Sequence, residues 1–105
     1  IKTASLVMGV EENVPEVPAE YKLSQNYPNP FNPVTNIDYD LPKNSLVKIA
    51  IYDMTGREVA VPVNEFKTAG RYSVSFNAMK LASGIYYYKI QSGDFSAVKK
   101  MTLLK

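Results

Sequence analysis

Period-2 alternation of apolar side chains, turn residues every 8–14 positions and the lack of a convincing helical stripe predict an all-β chain. The expected fold is a seven-stranded antiparallel Greek-key β-sandwich of immunoglobulin type, preceded by an extended N-terminal linker. At 105 residues, 46% hydrophobic and 21% charged, the chain has room for one domain with a modest core.

The strands follow from residue 21 onward. Tyr21–Gln25 supplies the first. Ile37, Tyr39 and Leu41 share one face of the second, which Pro42 ends. Val47, Ile49 and Ile51 point inward from the third while Lys48 projects outward. Thr55-Gly56 makes a tight turn in which Gly56 is free to adopt positive φ. Val59, Val61 and Val63 form a short strand interrupted by Pro62, which suits an edge rather than a centre. Gly70 opens the fifth strand, where Tyr72, Val74 and Phe76 alternate with Arg71, Ser73 and Ser75. Asn77–Ala82 has room for one helical turn. Ser83-Gly84 leads into a sixth strand with Tyr86, Tyr88 and Ile90 on one side and Tyr87 on the other. Ser92-Gly93-Asp94 turns the chain into a last strand from Phe95 to Leu104, with Met101 and Leu103 inward.

Residues 1–20 differ from the rest. They carry Lys2 against Glu11, Glu12, Glu16 and Glu20, a net charge of −3 in a chain whose total is +2. The run EENVPEVPAE (11–20) is acidic, holds two prolines and has only short apolar residues, which is linker composition. The chain starts at Ile1 and carries a short apolar run at 5–10. We therefore expect residues 1–20 to be the end of an upstream region plus a linker, and residues 21–105 to be the domain.

The densest local signal is LSQNYPNPFNP (23–33). Three prolines in six residues remove three backbone donors and fix three φ angles, so neither a helix nor a central strand forms there. Each residue before a proline is pushed toward extended geometry, and the asparagines favour turns. Phe31 is the only large apolar group between Tyr27 and Val34, so we expect it to plug into the neighbouring core. On these grounds the segment is a stiff connection between strands or a binding motif.

Composition excludes several functions. The chain has no Cys, His or Trp, so no disulfide, thiol nucleophile or Cys-based zinc site is possible. No serine stands in a G-x-S-x-G context, and no enzyme activity is expected. Asp38, Asp40 and Asp53 are the only carboxylates the strand pattern brings near one another, and calcium would need several more oxygens. A net charge of +2 is too small to imply nucleic acid, and no apolar run is long enough to span a membrane as a helix. No cofactor and a monomeric state are expected.

Five blocks in order, LSQNYPNPFNP (23–33), YDMTGREV (52–59), AGRYSVSFNA (69–78), LASGIYYYKI (81–90) and KKMTLLK (99–105), resemble one known family. It is the type A C-terminal sorting domain of the type IX secretion system, the Por secretion tail. The family is a seven-stranded immunoglobulin-like sandwich, similar in fold to the Ig-like domain of flagellar hook-capping proteins. The resemblance implies a C-terminal signal on an exported protein of the Bacteroidetes group. Such cargo enters the periplasm by the Sec route and is then taken across the outer membrane by the type IX translocon. A sortase-like protease often removes the domain by cutting the preceding linker, here Glu11, Glu12, Asn13, Val14 and Pro15. The cargo, the upstream domain of the same chain, ends secreted or on the cell surface.

The resemblance places the family's G-x-Y element on Gly84, Ile85 and Tyr86. Its terminal basic-apolar motif falls on Lys99, Lys100, Met101, Leu103, Leu104 and Lys105. Candidate recognition residues are therefore Gly84, Tyr86, Lys99, Lys100 and Lys105, with the segment Pro28, Asn29, Pro30, Phe31, Asn32 and Pro33. Each has a plainer reading. Lysines on a terminal strand also block edge-to-edge aggregation. Tyr86 and Tyr88 fit core positions whose hydroxyls are tied to the backbone, as in a tyrosine corner. Tyr87 points the other way, so the three rings cannot form one platform. The alternative function is an accessory spacer or carbohydrate-binding module of an extracellular hydrolase.

Overall fold

The computed structural model describes residues 17–105 and contains seven strands in two antiparallel sheets. They are β1 (Lys22–Leu23), β2 (Val34–Leu41), β3 (Ser45–Tyr52), β4 (Glu58–Lys67), β5 (Gly70–Asn77), β6 (Gly84–Ser92) and β7 (Phe95–Leu103). One sheet has the order β1-β2-β5 and the other β4-β3-β6-β7. The fourth strand thus pairs with β3, whereas in constant-type immunoglobulin domains it pairs with the fifth. The expected linker at Glu11, Glu12, Asn13, Val14 and Pro15, and the apolar run 5–10, lie outside the described residues.

The inward rows read from the sequence form the core. Ile37, Tyr39 and Leu41 face Val47, Ile49 and Ile51, Tyr88 and Ile90, and Met101 and Leu103, each at most 1% exposed. Burial of each such side chain stabilises the fold by about 1.5–3 kcal/mol before chain entropy is counted. Phe31, 2% exposed, does plug into this core although it belongs to no strand.

Three details differ from the alternation. The first strand is only two residues long, because the chain leaves β2 after Ser24 to make side-chain contacts described below. In β4 the pairing jumps from Ile49↔Val63 to Ile51↔Ala60, so the strand gains a residue around Pro62. That bulge turns Val61 outward, 38% exposed, and puts Ala60 in its place beside the core. Asn77–Ala82 holds no helix; it is a β-turn closed by the Leu81 N–H donating to the Ala78 carbonyl at 2.9 Å.

Candidate functional site

The proline segment is built into the sandwich from both sides. Tyr27 exchanges two backbone hydrogen bonds with Asn36 of β2, at 2.9 and 3.0 Å. Phe31 then bridges to β7: its N–H donates to the Thr102 carbonyl and its carbonyl accepts from the Leu104 N–H, both at 3.0 Å. The Asn29 Oδ1 accepts from the Thr102 N–H at 3.0 Å, and the Gln25 Nε2 donates to the Lys100 carbonyl at 2.7 Å. Tyr27-Pro28, Asn29-Pro30 and Asn32-Pro33 are cis. The segment therefore covers the C-terminal half of the β7 edge, which would otherwise expose a row of unpaired backbone groups.

Beneath it lies a buried polar network centred on Asn26, 2% exposed. The Asn26 N–H donates to the Tyr88 hydroxyl at 2.8 Å, and that hydroxyl donates to the Ser24 carbonyl at 2.6 Å. The Asn26 Nδ2 donates to the Thr35 Oγ1 at 2.9 Å, and the Thr35 hydroxyl donates to the Pro28 carbonyl at 2.9 Å. Every member has a partner, so the network holds the segment in one register rather than leaving a buried polar group unpaired. Burial pushes the Tyr88 hydroxyl up to about 12, against the opposing pull of the Asn26 N–H. Sequence reasoning missed Asn26, because its partners stand up to 62 residues away.

Gly84 and Tyr86 meet as a corner. Gly84 opens β6 with φ +156°, a region nearly closed to side-chain-bearing residues. Tyr86, two residues on, donates its hydroxyl to the Ala82 carbonyl at 2.7 Å with its ring 7% exposed. The same device occurs a second time. Gly70 opens β5 at φ +155°, and the Tyr72 hydroxyl donates to the Thr68 carbonyl at 2.7 Å. The signal for it was present in the sequence as a second G-x-Y.

The three candidate lysines do not form one patch. Lys99 points to the inner side of β7, while Lys100 points outward and pairs across the strands with Tyr87. Lys105 folds back on the 78–83 turn. Its N–H donates to the Ser83 Oγ at 3.0 Å and its Nζ to the Met79 carbonyl at 2.6 Å. The C-terminus is thereby fastened to the residue before Gly84.

The three aspartates do not converge either. Asp38 and Asp40 lie on the outer face of β2, near the Tyr27 hydroxyl (3.3 Å) and the Arg71 Nε (3.7 Å). Asp53 belongs to the β3–β4 turn of the other sheet, which corrects their expected proximity. There it accepts from the Thr55 hydroxyl and the Thr55 and Arg57 N–H groups, contacts that hold its carboxyl below the usual range. Among the described residues no group of three or more His, Cys, Asp or Glu side chains is placed to hold a metal. Exposed Tyr27 and Tyr87 sit on different sheets, so they form no aromatic row.

A model of the secretion system C-terminal sorting domain, the Por secretion tail, matches residues 25–103. The match spans all but the first strand of the sandwich and most of the chain, so the chain belongs to this family of type IX sorting signals. No curated protein matches the chain.

Proposed function

We propose that residues 21–105 carry an upstream cargo from the periplasm across the outer membrane through the type IX translocon, and that a sortase-like protease then cuts within residues 11–15. The cargo ends secreted or bound at the cell surface. The observation that carries this reading is the family match over residues 25–103, a span that is itself a complete sandwich apart from β1. A sorting role suits an architecture whose last strand is part of the core: a receptor that reads the β7 region reads a folded domain and not a loose tail. Met101 and Leu103 are fully buried, so truncating β7 removes fold and signal together.

The test is export of a reporter fused ahead of the chain in a cell that has the system. Deleting 99–105 should block export, yet it also strips two core side chains at a cost of about 4–8 kcal/mol. Lys100→Gln separates the two effects, since Lys100 is exposed on β7. Its stability change should stay within about 0.5 kcal/mol. Lys105→Gln is less clean, because it also loses the contact to the Met79 carbonyl. A drop in export with Lys100→Gln and an unchanged melting curve would show that the terminal basic motif is read directly. Limited proteolysis should place the first cut before residue 21. A first cut inside the sandwich would refute the domain boundary.

A further inference from the structure

The two sheets have four edge strands, and three are defended. β1 is two residues long. β4 carries Pro62 and a bulge. β7 is covered over its C-terminal half by the proline segment and bears Lys99 and Lys100. Short length, proline, bulges, lysines and covering loops are the usual means of refusing an added strand. Among the described residues β5 has none of them. It runs for eight residues in unbroken register with β2, without proline or lysine.

The hydrogen bonds fix which of its backbone groups are open. Asn36 bonds Tyr27 and the Asp38 carbonyl bonds the Ser24 N–H, so even-numbered residues of β2 face β1 and odd-numbered ones face β5. Through the pairs Ile37↔Val74 and Tyr39↔Tyr72, even-numbered residues of β5 bond β2. The N–H and carbonyl groups of Ser73 and Ser75 therefore point away from the sheet, and among the described residues no strand pairs with them. The neighbouring position is also the missing fourth strand of the smaller sheet, because β4 pairs with β3 instead.

An apolar cleft of about 270 Å³ lies at the C-terminal end of this edge, between Val59, Ala60, Phe76, Leu81 and the exposed Met79. Lys80 stands on its rim, and Lys105 reaches the Met79 carbonyl. Among the described residues no carboxylate pairs with either lysine. An apolar pocket with unmatched positive charge beside a bare strand edge suits an extended segment carrying alternate apolar residues and a carboxylate.

We propose that the β5 edge is where the export machinery reads the domain: one extended strand of a partner protein adds to β5 through Ser73 and Ser75, seats an apolar side chain in the cleft and sets a carboxylate against Lys80. This rests on the sorting reading above. The occupant is a single strand and not a second copy of the chain. β4 lies across the inner side of β5, with the Lys67 Nζ 5.0 Å from the Tyr72 ring centre. A second copy would present its own β5, which holds Arg71 and no carboxylate to set against Lys80.

The test uses the reporter fused to the full chain, with export and melting temperature measured together. Ser75→Pro deletes one outward N–H at an edge position that tolerates proline. The double variant Ser73→Lys, Ser75→Lys leaves the backbone intact and adds edge lysines at two exposed positions, and it decides the matter should the proline variant fail to fold. Ser75→Pro should lower export by up to about tenfold, the loss of one outward strand hydrogen bond, and the double lysine variant should lower it at least as far by opposing the added strand, both with little change in melting. Lys80→Glu should lower it as well. Val98→Pro, the matched substitution on β7, should export normally. Parental export by the folded edge variants, or equal loss with Val98→Pro, overturns the β5 inference and leaves the sorting reading standing. Failure of the unmodified chain to be exported overturns both.

Discussion

Gly70-Arg71-Tyr72 and Gly84-Ile85-Tyr86 are one device in two settings. Each glycine opens a strand at nearly the same φ, and each tyrosine returns its hydroxyl to the carbonyl four residues back at 2.7 Å. The settings differ. Tyr72 lies on an edge strand, half-buried, stacked on Tyr39 with ring centres 5.4 Å apart. Tyr86 lies on β6 between β3 and β7, opposite the fully buried Met101, and the residue before its glycine holds the Lys105 N–H. Spacing along the chain sets the local geometry of a corner. Strand order sets how much of the fold depends on it, and the second corner is the one tied to the C-terminus.

The largest expected difference comes from removing the rings. Tyr86→Ala should cost about 3–5 kcal/mol, a large share of a small domain's stability, because the site lies between two packed strands and cannot collapse. Tyr72→Ala should cost roughly half as much, since water already reaches part of the site. Chemical denaturation of both variants decides this, and equal losses would break the distinction between the corners.

Alkaline pH sharpens the comparison from the core side. Tyr88 follows Tyr86 on the same face of β6 and is wholly buried, with its hydroxyl raised from 10.0 to about 12. Burial also raises Tyr39, beneath Tyr72. A raised value in the folded state means the unfolded chain ionises first. The stabilisation is complete below pH 10 and is lost as pH climbs toward 12, on the order of 3 kcal/mol for Tyr88. Denaturation midpoints followed from neutral pH to about 12 should fall across that window, and Tyr88→Phe should flatten its share of the fall.

Much of this was legible in the sequence because alternation is a local signal. It placed Ile37, Tyr39, Leu41, Val47, Ile49 and Ile51 inside, and it turned Tyr87 away from Tyr86 and Tyr88. It also separates Lys99 from Lys100, a consequence that weakens the idea of one cationic patch. Phe31 was readable as a plug because nothing else apolar surrounds it. The rest depends on contacts between distant segments. Asn26 reads as a turn former until Tyr88 is placed over it, and Val59, Val61 and Val63 read as one alternating row until the bulge at Pro62 shifts the register. That β4 pairs with β3, leaving β5 without a second strand partner among the described residues, is a property of strand order that no periodicity encodes.

Backbone substitutions should treat the two corners alike. An added Cβ at Gly84 meets no atom within 4 Å, and one at Gly70 meets only the Tyr72 ring at 3.7 Å, an ordinary contact. The cost of Gly84→Ala and of Gly70→Ala is therefore conformational, about 1–3 kcal/mol each. Equal losses here beside unequal losses for the tyrosines would assign the glycine requirement to the local backbone and the tyrosine requirement to strand order.

The smallest effect isolates the hydroxyls. Tyr86→Phe keeps the ring and removes only the donor to the Ala82 carbonyl, a part-buried bond, so about 1 kcal/mol should be lost. Tyr72→Phe removes an exposed bond to the Thr68 carbonyl, which water replaces, so the loss should stay within about 0.5 kcal/mol. Melting curves of the two variants against the parent measure the difference. Export adds a second readout: if the Tyr86 hydroxyl serves only the corner, Tyr86→Phe should remain fully exported, because a loss of that size leaves the domain folded. Export lost while the melting curve holds would mean that Tyr86 is read by a partner as well as by the fold.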